Sequence, residues 1–127
     1  MNSVRILHCA DVHIGAECGF LGTKSRTRKA EVKKTFQRIL ELCKEEKTEL
    51  LLIAGDLFDD VTISSETLGE IRDGIAALEN CKVVIAAGNH DPATPDSPYM
   101  LENFWPDNVV LFTSQPETYL LPELGVR

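Results

Sequence analysis

The sequence predicts an α/β protein whose sheet is mostly parallel and flanked by helices. Three short apolar runs, Ile6–Ala10, Leu50–Ala54 and Val83–Ala87, are separated by stretches long enough for helical crossovers, and helix-period patterning fills the intervals. Each run also ends in a polar group: Asp11-Val12-His13, then Gly55-Asp56-Leu57-Phe58-Asp59, then Gly88-Asn89-His90-Asp91. In open α/β sheets ligands sit beyond the carboxyl ends of the strands, so three such endings point to one shared crevice.

The elements follow in order. Val4–Ala10 reads as a buried strand, and 11–27, with Gly15, Gly19 and Gly22, as a loop. From Ala30 to Glu46, Val32, Phe36, Ile39, Leu40 and Cys43 recur at the spacing of a one-sided helix that packs on the sheet. Leu50–Ala54 is continuously apolar, as a parallel strand covered on both faces requires, and Gly55 ends it. Ser64 or Ser65 caps a second helix that places Leu68, Ile71, Ile75 and Leu78 on one side; Gly69 and Gly74 weaken it. After the third strand, 92–98 is a Pro-rich loop, and Ser97-Pro98 is a cap and first turn for a short helix through Phe104, with Phe104 and Trp105 in the core. Val109–Phe112 and Thr118–Leu121 read as two further strands around a turn at Gln115-Pro116.

A chain of 127 residues with 43% hydrophobic content forms a core in one domain without covalent staples. No apolar stretch approaches the roughly 20 residues of a membrane span, and Met1–Arg5 leads into the first strand without a cleavable signal pattern. The expectation is a cytoplasmic protein with no membrane association. Cys9, Cys18, Cys43 and Cys81 lack metal-site spacing and read as core thiols of a reducing compartment. The net charge of −7 argues against nucleic-acid binding through a broad basic face. Locally the balance differs: Lys24, Arg26, Arg28, Lys29, Lys33 and Lys34 form a basic run broken by Glu31. It is either a solvated helix start or a patch that receives substrate phosphates, with Arg26 and Arg28 the candidates.

The strand tips carry the chemistry. Asp11 and His13 are two apart, so on extended backbone both point the same way and grip one ion. Asp56 has two carboxylate oxygens, enough to bridge two cations about 3.5–4 Å apart. Asn89 supplies a neutral oxygen, His90 protonates a leaving alkoxide, and Asp59 orients His90. A tight turn explains Gly, Asn, Asp and Pro in Gly88–Pro92, but not a histidine among them or Asp at both earlier tips.

These three motifs, D-x-H, G-D-x-x-D and G-N-H-D in this order over about 4–112, resemble the first half of the calcineurin-like metallophosphoesterase superfamily. The residues around them, Ile6–Gly15 and Ala54–Asp59, are similar to the SbcD and YhaO branch of DNA repair exonucleases. The resemblance implies the N-terminal part of a four-layer α/β/β/α sandwich. It also implies a metal site of Asp11, His13, Asp56 and Asn89 holding two divalent ions, most often Mn2+, with His90 acting on the leaving group and Asp59 supporting it. DNA is the implied substrate and an SbcC-like ATPase the implied partner. Oxygen and imidazole donors suit manganese on coordination grounds. Protein phosphatases of the superfamily place Arg and Gly after the second motif, where Asp60 and Val61 stand here.

The family completes its site with a further His and a G-H-x-H motif, whereas the histidines here are His8, His13 and His90. His8, inside the first strand, reads as a packed or edge residue. The expectation is therefore a partial nuclease domain, 1–127, lacking its C-terminal half, with impaired metal binding and turnover and with apolar sheet surface that promotes self-association. The alternatives are a general phosphodiesterase for small nucleotides and a noncatalytic regulatory module that keeps the fold.

Overall fold

The computed structural model describes residues 3–15, 25–60, 63–113 and 118–125, with side chains from residue 27 onward in the second segment. Cys18, Lys24, the Arg26 side chain and the turn at Gln115-Pro116 lie outside this set. The order is β1 (Ile6–Cys9), α1 (Ser25–Glu45), β2 (Leu50–Ala54), α2 (Ser65–Ala76), β3 (Lys82–Ala86) and β4 (Val109–Phe112). The four strands form one sheet in the order β1-β2-β3-β4, and every pairing is parallel.

Register divides the sheet into two faces. Leu51, Ile53, Val83 and Ile85 are buried beneath the helices, opposite Phe36, Leu40 and Cys43 of α1 and Leu68, Ile71 and Ile75 of α2. Two crossovers that advance in the same direction with the usual right-handed sense bring both helices to that face. They meet where Gly74 leaves room for Leu40; a Cβ there would lie 2.8 Å from Leu40 Cδ1. Glycine weakens helix propensity, and here it permits the close approach. Along the other face Ile6, His8 and Ala54 are exposed, which places His8 on an open edge strand as expected.

Several boundaries differ from expectation. Helix α1 begins at Ser25 rather than Ala30, so Arg28 and Lys29 sit in its first turns although no acidic residue there complements the helix dipole. Ser64 is the cap of α2, its hydroxyl accepting from Thr67 N at 3.2 Å. The expected helix through Phe104 is a single 3-10 turn, Pro98–Met100, capped by Ser97, and Phe104 and Trp105 are half-buried against the core. Thr118–Leu121 does not form the expected strand: 118–120 lack regular structure, and Leu121 runs into a 3-10 turn at Pro122–Leu124. Pro122 fixes φ and has no N–H to give a ladder, so apolar content alone does not extend the sheet there.

Among the described residues, no helix is long and apolar enough to cross a membrane. Cys9, Cys43 and Cys81 are free thiols, half-buried or buried. Burial pushes Cys9 and Cys81 up from 9.0 to about 11, with Cys43 nearby adding to each shift. The folded state thus favours the protonated thiols, and their contribution to stability is present below pH 9.0 and lost as pH rises toward about 11. At pH 8 the native protein should react slowly with iodoacetamide at Cys9 and Cys81, and unfolding in guanidinium should expose both to rapid labelling. Peptide-resolved alkylation checks this; fast native labelling at either residue would contradict it.

Candidate metal centre

The three tips meet at one end of the sheet because their backbones are bonded to one another. Beyond β1 and β2 the loops run side by side, with Asp11 N donating to Gly55 O at 3.2 Å, His13 N to Asp56 O at 3.0 Å and Ile14 N to Leu57 O at 2.9 Å. Asp11, His13 and Asp56 all have positive φ, 54°, 55° and 54°, a conformation uncommon outside glycine that persists where surrounding contacts enforce it. Asp11 and His13 therefore do not share a direction by extended alternation, as the sequence implied; paired left-handed residues bring them together. His13 Nε2 lies 3.9 Å from Asp11 Oδ1.

Asp56 is the hub. Its Oδ1 accepts the His90 backbone N–H at 2.8 Å, and its Oδ2 lies 3.3 Å from His90 Nδ1. The His90 backbone bond, then the His90 ring and His13, hold its carboxyl below the usual carboxylate range against the opposing effect of burial. The ionised form is the one that binds cations. The His13 and His90 rings meet edge to face at 4.9 Å.

Asp59 corrects one expectation. Its Oδ1 lies 3.0 Å from Nδ1 of His13, and not at His90. A carboxylate there accepts from Nδ1 and leaves the His13 Nε2 lone pair for an ion, the usual arrangement behind a metal-bound imidazole. Donor atoms of His13, Asp56 and His90 all lie within 4.8 Å of one another, and their imidazole and carboxylate chemistry fits a divalent cation. Asp11 borders this group, with its side chain 72% exposed, and Asn89 is exposed at the third tip. Arg28, exposed and paired with Glu31 at 3.2 Å, lines a shallow cleft between the β1 tip and α1 together with Asp11 and Val12.

The sequence pattern reads Asp91 only as part of a polar strand ending and a turn, and its role in the structure differs. It is fully buried, and its oxygens accept from the backbone N–H of Asp56 and Phe58 at 3.1 Å each and of Gly88 at 2.7 Å. Aspartate directly after the motif histidine and before Pro92 was the available signal. Gly88 is equally constrained: a Cβ there would lie 2.5 Å from Asp56 N and closer still to Asp56 Oδ1. Because backbone cannot yield as a side-chain tip can, Gly88→Ala should lower stability by about 1–3 kcal/mol or more and displace Asp56. A denaturant midpoint equal to wild type would refute this close fit.

The chain is 34% identical over 90 residues to the DNA double-strand break repair protein Mre11 of Methanopyrus kandleri, an alignment covering 69% of this chain and 19% of that protein. It is 34% identical over 94 residues to the SbcD component of the SbcCD nuclease of Rhodobacter capsulatus, covering 71% and 22%, and 32% identical over 93 residues to its Bacillus subtilis counterpart, covering 69% and 22%. The chain thus spans about a fifth of the length of these curated relatives. The profile of the calcineurin-like phosphoesterases matches residues 4–123, and with three motif-bearing strand tips gathered at one end of a parallel sheet, the chain belongs to that family.

Proposed function

We propose that this chain forms the first half of a metal-dependent phosphodiesterase centre that cleaves DNA in the manner of SbcD-type exonucleases, in partnership with an SbcC-like ATPase. The convergence of His13, Asp56 and His90 donors within 4.8 Å carries the reading, and the likeness to DNA repair nucleases supports DNA as the substrate class. Asp11, His13, Asp56 and Asn89 would hold two divalent ions, Mn2+ by preference. Bound there, the ions would polarise the phosphoryl group and supply a hydroxide nucleophile at neutral pH.

The chain's own residues do the rest. Asp59 fixes the His13 ring through Nδ1. Asp56, its carboxyl held below the usual carboxylate range, would serve as a ligand shared by the ions. His90, its side chain 58% exposed and its Nδ1 held by Asp56, presents Nε2 to the substrate and gives a proton to the leaving oxygen. Arg28 would release Glu31 to take a flanking phosphate; Arg26 is the other candidate of the basic run, and its side chain lies outside the described residues.

We also expect the 127-residue chain to bind metal weakly, to turn over slowly and to self-associate through the open sheet face that exposes Ile6. A monodisperse monomer in light scattering at high concentration would count against the self-association.

At protein concentrations high enough to offset the weak affinity, added Mn2+ should lose part of its free-ion electron paramagnetic resonance signal, and His13→Ala or Asp56→Asn should restore most of it. His90→Asn should leave Mn2+ uptake within about threefold of wild type while lowering hydrolysis of a short DNA duplex by about 10²-fold or more. A comparable loss of Mn2+ affinity in His90→Asn would instead make His90 a ligand. Faster cleavage of bis(p-nitrophenyl) phosphate than of DNA would favour a small-phosphodiester enzyme, and no uptake in wild type would overturn the metal centre.

A further inference from the structure

Asp91 takes four hydrogen bonds, and one comes from a side chain 8 residues on: the Tyr99 hydroxyl donates to Asp91 Oδ2, the oxygen that also receives Phe58 N. Tyr99 is only 4% exposed. It is held from several directions. Its backbone N donates to the buried Ser97 hydroxyl at 3.1 Å, and its ring stacks on Trp105 at 6.1 Å and tilts against Phe58 at 5.7 Å. Trp105 Nε1 closes the turn on Pro98 O at 3.0 Å. Phe58 is tied to both partners, by its ring to Tyr99 and by its backbone to Asp91.

A fully buried carboxylate is tolerated only where donors surround it, and three of the four here are backbone N–H groups of the two loops that carry Asp56 and His90. The fourth fixes where the carboxylate sits. We propose that Tyr99 is a positioning residue for the metal centre: its hydroxyl anchors Asp91 so that the β2 and β3 loops are held in one relative placement, and this placement sets the affinity of the Asp56 site for divalent cations. Tyr99 touches neither ion nor substrate in this role. It acts through Asp91, Asp56 N and Gly88 N, and the aromatic packing of the 97–105 segment gives it a rigid base. The inference rests on the metal reading above for its consequence, though not for the contact itself.

Tyr99→Phe keeps the ring and removes the hydroxyl, so packing against Phe58 and Trp105 survives. Tyr119→Phe, at an exposed tyrosine, is the control. Measured on the same 127-residue protein, Tyr99→Phe should weaken Mn2+ binding by roughly tenfold, the scale on which groups behind metal ligands act, while Tyr119→Phe leaves it unchanged. In metal-free protein, hydrogen exchange read by NMR at the amides of Asp56, Phe58 and Gly88 should accelerate about tenfold in Tyr99→Phe, with α2 amides unaffected. A lower melting temperature with Mn2+ affinity and these three amides unchanged would overturn the proposal, leaving Tyr99 a packing residue. Wild-type protein that takes up no Mn2+ would overturn the metal reading and the affinity claim together, and the exchange measurement would then decide the anchoring contact by itself.

Discussion

The site depends on a buried aspartate side chain, Asp91, that ties the loops together and is not itself placed to bind a ligand. Asp91 lies where water does not reach, and its carboxylate is stable there because backbone N–H groups from both the β2 and the β3 loops point at it. Those loops have left the sheet ladder and would otherwise have unpaired donors. One carboxylate thus satisfies them and ties the second and third strand tips into a unit, and the backbone bonds from Asp11, His13 and Ile14 add the first. Unfavourable φ angles at Asp11, His13 and Asp56 persist within this mesh because the surroundings leave no alternative.

The tips therefore concentrate acidic and imidazole groups at one end of a chain that is acidic overall. Asp56 illustrates how the loops shape reactivity: the His90 N–H and ring stabilise its charged form, while the bond between Asp59 and His13 orients an imidazole beside it. A concavity of about 780 Å³ lies at the other end of the sheet among helix ends and Arg5, Lys44 and Lys47, and it contains none of the motif residues.

The parallel sheet was legible because Leu50–Ala54 and Val83–Ala87 are short, apolar and separated by helix-period patterning, and the observed strands fall within a residue of those runs. The core face of α1 was equally plain. Its start was not, since Ser25–Lys29 carries no apolar periodicity and its basic first turns oppose the usual helix-dipole pattern. The strand expected at Thr118–Leu121 failed for the complementary reason: its composition suits a strand, but Pro122 and an exposed Tyr119 and Leu120 leave it without a ladder. Local pattern records what a segment tolerates, and pairing depends on a partner elsewhere.

By itself the sequence determined the fold class and set candidate metal-binding residues at three strand endings, because the alternation of apolar runs and the polar endings are local properties written in neighbouring letters. Only the tertiary structure decided which of those residues face one another. Asp59 turned to His13 rather than His90, Asp91 became the buried tie between loops, and Tyr99 reached it from a turn beyond. Each contact joins residues whose relative placement follows from how strands stack and loops cross, and hydrogen-bond direction at that scale cannot be encoded by spacing along the chain.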